Sequence, residues 1–139
     1  MKSRAPRRAR ALRATALAVL ALAIACASPS PRPPARGLTG EDARAALLRL
    51  AGALETRRFD EAHQLLSARW REESSPARLA TDWAGAGPYA RDLVAHVRAA
   101  LAAGGALETS GATARLPLGA GKAALLVAED GGWRVDALE

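Results

Sequence analysis

The sequence predicts an α+β domain in which three to four N-terminal helices pack on one face of a C-terminal antiparallel sheet of three to four strands. Three observations predict it. Apolar residues recur at helical spacing from residue 40 to about residue 103, then alternate from residue 112 onward, and glycine pairs punctuate the second half at hairpin spacing. Helices first and a meander of strands last is the order of an α+β domain.

Each element carries its own signal. Thr39 followed by Glu41 and Asp42 marks a helix start, a hydroxyl cap with acids at the positive end of the dipole. Leu47, Leu50, Ala51 and Leu54 form the apolar stripe of that helix, which spans about 40–55. Arg57-Arg58-Phe59-Asp60 interrupts the pattern, and a second helix is expected over about 60–70 with Ala62, Leu65, Leu66, Ala68 and Trp70 facing inward. Ser75-Pro76 starts a short third helix that pairs Leu79 with Trp83. After Gly87-Pro88 a fourth helix runs to about Ala103, with Leu93, Val97, Ala100 and Leu101 on one side, and Gly104-Gly105 ends it. A short strand is expected near Leu107–Thr109. Alternation of Ala112, Ala114, Leu116 and Leu118 predicts the next, Ala123 to Ala128 a third, and Trp133, Val135 and Ala137 a fourth after the turn Glu129-Asp130-Gly131-Gly132. Much of this core is alanine, so Phe59, Trp70, Trp83 and Trp133 are expected to supply most of the bulk.

Residues 1–38 have a different character. The formal net charge of +6 comes from this end: residues 1–39 hold eight of the twenty basic residues and no acid, which leaves residues 40–139 slightly acidic. A chain beginning at residue 26 would be neutral, so no nucleic-acid partner is expected. A basic stretch from Lys2 to Arg13 precedes an apolar run from Ala14 to Cys26, the layout of a secretory signal peptide over 1–25. Thirteen helical residues reach only about 20 Å, short of a hydrocarbon core of about 30 Å. Ala23-Ile24-Ala25-Cys26 resembles the bacterial lipobox, and the resemblance implies diacylglycerol on the Cys26 sulfur and cleavage before it. Ordinary cleavage at an Ala-x-Ala site, Ala23-Ile24-Ala25 or Ala25-Cys26-Ala27, is the alternative and would leave a secreted or periplasmic protein. Cys26 is the only cysteine, which excludes an internal disulfide. Residues 26–38 then form the lipidated cysteine and a Pro/Ser-rich tether, and residues 39–139 the domain.

Phe59-Asp60-Glu61-Ala62 with Leu65-Leu66-Ser67, and Leu125-Leu126-Val127 with Asp130-Gly131-Gly132-Trp133-Arg134-Val135-Asp136, give the domain its likeness. It resembles the cone-shaped superfamily named after nuclear transport factor 2, in particular small bacterial lipoproteins of that shape. The resemblance implies a closing hairpin whose Trp packs under the sheet. Residues 88–103 read as helix where many members have strand, which implies a reduced cone with a small pocket.

Few residues carry chemistry. Gly119-Ala120-Gly121-Lys122-Ala123-Ala124 matches a dinucleotide fingerprint, but a phosphate-binding loop needs a helix after the glycines and a strand is expected here, so the run reads as a hairpin turn. His63 and His96, set beside Asp60, Asp82 or Asp92, would make a general-base pair; on amphipathic helices they read more simply as boundary residues. Their spacing is a poor zinc pattern, and neither metal nor cofactor is expected. Arg57-Arg58 and Arg69-Trp70-Arg71 interleave with Glu55, Asp60, Glu61, Glu72 and Glu73 and read as a salt-bridged solvent face. Ala43–Leu54 with Phe59–Ala62 looks like one tetratricopeptide hairpin, with no second copy to stack on it.

The expectation is a membrane-anchored lipoprotein of the cell envelope. Its domain is non-catalytic and binds a protein or a small apolar ligand in a concavity for which His63, Trp70, Trp83 and His96 are candidates. The rivals are a small enzyme using a His–carboxylate pair and a homodimer formed through the sheet. An apolar pocket, a His–Asp contact and an apolar outer sheet face, respectively, would distinguish them.

Overall fold

The computed structural model describes residues 37–139. The signal segment, Cys26 and most of the tether lie outside the described residues.

Helix α1 (Gly40–Glu55) starts where the cap predicts. Thr39 Oγ1 accepts from the Asp42 N–H at 3.2 Å, and the Asp42 carboxylate accepts from the Thr39 N–H at 2.8 Å, a reciprocal capping box. Leu47, Leu50, Ala51 and Leu54 are buried as expected, joined by Ala43, Ala46 and Ala53. The helix closes in a Schellman turn: Arg58 N–H donates to Ala53 O at 2.8 Å and Arg57 N–H to Leu54 O at 3.1 Å. Arg57 holds the left-handed position of that turn, φ 58°, where glycine is the usual occupant.

The helix expected over 60–70 is two. Helix α2 (Phe59–Leu65) stops at Leu66, which is extended and bridges in parallel to Val135 of the last strand. Ser67 donates its N–H to Val135 O at 2.9 Å, and helix α3 (Ala68–Glu73) then begins. The chain gives up two helical residues to cover the edge of a strand whose carbonyls would otherwise go unpaired. The break turns Trp70 away from the interior. Expected inward, it is 40 % exposed.

Helix α4 (Pro76–Ala102) joins the third and fourth expected helices. Its cap is as predicted, Ser75 Oγ accepting from Arg78 N–H with Pro76 in the first turn. The expected break survives as a kink, because Gly87 leaves helical geometry (φ 50°, ψ −121°) immediately before Pro88. A residue before proline is driven out of the α region, and only glycine takes that alternative without strain. Val94, Val97 and Leu101 are buried in the second half; Leu93, expected inward, is half-buried. Arg44 of α1 donates to Leu101 O (2.7 Å) and Gly105 O (3.1 Å), tying the end of α4 to α1.

Strands β1 (Glu108–Ser110), β2 (Thr113–Gly119), β3 (Lys122–Glu129) and β4 (Gly132–Leu138) form an antiparallel sheet in the order β1-β2-β3-β4. The loops Ala120-Gly121 and Asp130-Gly131 have positive φ at both residues, the primed turns that suit the twist of two-residue hairpins. The Gly119–Ala124 run is thus a hairpin, as its context predicted. Ala114, Leu116, Ala124, Leu126, Trp133 and Val135 face the helices in one core with α1, α2 and α4. Register shifts in β4: Val135 pairs with Leu126 and Ala137 with Leu125, leaving Asp136 as the extra residue of a bulge.

The aromatic residues share the packing less evenly than expected. Trp133 is buried, and its Nε1–H donates to Thr39 O at 3.0 Å across the length of the domain. Phe59 and Trp83 lie half-buried at the margin of the core, whose bulk is leucine and valine. Leu38, which the sequence places in the tether, also packs against the core.

Candidate functional site

Helix α3 is too short to be stable alone. It is held by the sheet beneath it. Ser67, 1 % exposed, stands at the N-cap of α3 but makes no capping bond, its Oγ being turned to donate to Asp136 Oδ1 at 2.6 Å. Glu129 of β3 caps the helix instead, accepting from Ala68 N–H at 2.8 Å while Arg71 sits 3.5 Å from the same carboxylate. Arg69 reaches the Asp136 carboxylate at 3.2 Å, and Trp70 Nε1–H donates to the Asp136 carbonyl. The Ser67 hydroxyl, with help from the Arg69 guanidinium, holds the Asp136 carboxyl below the usual carboxylate range against the opposing effect of burial.

This clamp leaves a groove between α3, the start of α4 and β4. Its volume is about 170 Å³, and Leu66, Trp70, Leu79, Val135, Asp136, Ala137 and Leu138 line it. Every lining side chain except Asp136 is apolar or aromatic, and the Asp136 carboxylate is already paired. Such a groove offers desolvation and shape, with no group placed to move a proton.

The four candidate residues therefore separate. Trp70 lines the groove. Trp83 lines a different cavity of about 390 Å³ with Arg57, Phe59, Ala80, Ala84 and Arg91. Neither histidine lines either one. His63 Nε2 lies 3.1 Å from the Ser74 main-chain oxygen, bracing the loop before α4, and His96 Nδ1 lies 2.7 Å from the Asp92 main-chain oxygen on its own helix. No histidine–carboxylate contact exists among the described residues. Nor is there a cluster of three His, Cys, Asp or Glu side chains placed for a metal.

In the basic stretches Arg58, Arg69 and Arg71 are ion-paired and Arg57 is not, and most partners differ from those expected. Arg58 pairs with Glu61 as their spacing suggests, but Glu55 pairs with Arg98 of α4, and Arg69 and Arg71 reach across to Asp136 and Glu129 of the sheet. The sheet face turned away from the helices carries Pro117, Leu125 and Val127 between Arg115 and Arg134, the alternates of the core-facing residues.

Sequence reasoning missed Ser67, Leu138 and Asp136. Asp136 alternates with Val135 and Ala137, so it reads as an ordinary solvent-facing strand residue. The bulge that makes it a clamp leaves no mark in the residue pattern.

Comparison of the chain with protein-family models, curated proteins and solved structures gives no match.

Proposed function

We propose that this protein is a lipid-anchored component of the bacterial cell envelope whose domain, a reduced cone of the nuclear transport factor 2 kind, is a non-catalytic binding module. The anchor is Cys26, acylated after signal cleavage, and the binding element is the groove of α3, α4 and β4. The observation that carries the reading is the lining of that groove: six apolar or aromatic side chains, and one carboxylate already paired with Ser67 and Arg69. Its volume suits a single aliphatic or aromatic side chain of a partner, or a ligand of similar size. The geometry of His63 and His96, each beside a main-chain oxygen rather than a carboxylate, weighs against the enzyme alternative.

Photo-cross-linking from position 79 in the full-length membrane-bound protein tests it, with position 49 on the exposed face of α1 as control. The expected result is an adduct at Leu79, protein or small apolar molecule, that Arg49 does not give. Identical products at the two positions would remove the groove from the argument.

A second reading, a homodimer through the sheet, is favoured by the apolar strip Pro117, Leu125 and Val127 on the outer face. Sedimentation of the wild type against Leu125→Glu decides it. A dimer that the substitution dissociates supports self-association; a wild-type monomer at tens of micromolar ends it.

A further inference from the structure

The cavity around Trp83 has a chemistry distinct from the groove and shares no lining residue with it. Phe59 and Trp83, both half-buried against the core, supply apolar walls, and Ala80 and Ala84 on the same helix leave the space open. Arg57 and Arg91 line it as well. Most of the nearby arginines are spoken for: Arg58 by Glu61, Arg78 by Asp82 and Arg98 by Glu55. Arg57 and Arg91 make no ion pair among the described residues.

Neither of the carboxylates beside the cavity makes an ion pair with them. Glu55, at one side of the cavity, is held in a two-point pair by Arg98 Nε and Nη2 at 2.8 and 2.7 Å, and that pair lowers its carboxyl below the ordinary range. Asp60 lies at the outer mouth, beside Ser75 and Pro76. The central volume of about 390 Å³ has Arg57 and Arg91 among its lining residues and no acidic residue.

The backbone sets Arg57 there at a cost. Arg57 occupies the left-handed position of the turn after α1, where a side chain is strained and glycine is not. Arg91 lies beyond the Gly87–Pro88 kink, yet it lines one cavity with Trp83 from before the kink. In a straight helix, residues eight apart stand about 12 Å apart along the axis and about 80° apart around it.

We infer that this cavity binds an organic anion, a phosphate or carboxylate carried on a flat apolar body, with Arg57 and Arg91 taking the charged group and Trp83 and Phe59 the flat one. Guanidinium forks match both kinds of oxyanion, and the indole face accepts a flat group with little loss of freedom.

The test follows the Trp83 indole N–H by NMR in the full-length protein in detergent. Phenyl phosphate and benzoate carry both features; inorganic phosphate carries only the charge and phenol only the ring. The expected result is a saturable shift with one or both aryl anions, tighter than with phosphate or phenol, and the stronger of the two identifies the headgroup. Arg57→Gly and Arg91→Gln should each weaken that binding about tenfold, the scale of losing one charge-assisted contact. Arg57→Gly should do so with an unchanged or raised melting temperature, because glycine relieves the turn. The inference is overturned by any of three results: no saturable shift with either aryl anion, phenol binding as tightly, or unaltered affinity in Arg57→Gly.

Discussion

Trp133 does two jobs with one side chain. Its ring fills the floor of the core beneath α1, and its N–H satisfies the Thr39 carbonyl ahead of that helix. Trp133→Ala should therefore destabilise by about 3–5 kcal/mol, read by urea denaturation; a loss under about 1 kcal/mol would mean that alanine-rich surroundings collapse into the space. His63→Ala and His96→Ala should each cost less than about 1 kcal/mol. Asp136 predicts a pH dependence. Its carboxyl titrates lower in the folded protein than in the unfolded chain, so the unfolded state binds the proton first as pH falls. The stabilisation is complete above about pH 4, the ordinary Asp value, and is lost as pH drops through the lower folded value. Asp136→Asn should remove that part of the acid sensitivity and leave the share due to Asp42 and Glu55, which are lowered in the same way. An unchanged acid slope in Asp136→Asn would show the clamp to be energetically idle. Of these residues, Trp133 was legible in the sequence because it begins an alternating strand after a turn. Asp136 was not, because its role depends on a register shift against a neighbouring strand.

Among the elements, those announced by local chemistry are where the residues put them. Thr39, Ser75 and the two glycine-bearing hairpin loops act on neighbours a few positions away, so their effect can be read from spacing alone. The division of α2 from α3 could not be read. The residue pattern reads as one helix over about 60–70, and the interruption falls at Leu66, which bridges to Val135, distant in sequence. The groove lies at that interruption, which is why Trp70 was placed in the core by its periodicity and is found at the rim. The kink in α4 is testable as an element. At φ 50°, ψ −121°, Gly87 occupies a conformation closed to other residues, so Gly87→Ala should cost of order 1–3 kcal/mol. If denaturation shows no loss, α4 straightens at no cost, and Arg91 and Trp83 no longer need to share a cavity.

At the scale of the whole molecule, the charge asymmetry separates a strongly basic N-terminal stretch from a domain that is almost neutral. Cys26→Ser should abolish labelling by palmitate and release the protein from membranes; retained labelling would refute acylation at this position. A polypeptide of residues 37–139 should melt in a single cooperative transition, since α1, α2, α4 and the sheet share one core; a broad, non-cooperative profile would show that earlier residues complete the fold.

The partnership of Trp133 with Thr39 has a consequence for the order of events. The domain's first helix is docked by its last strand, and the α2–α3 corner is pinned by Val135 and Asp136 of the same strand. Until β4 has been synthesised, neither the docking of α1 nor the pinned corner can form. A chain exported as proposed needs to stay threadable while the translocation channel accepts it. A core that closes only with β4 keeps the earlier helices undocked, and so threadable, until that strand arrives.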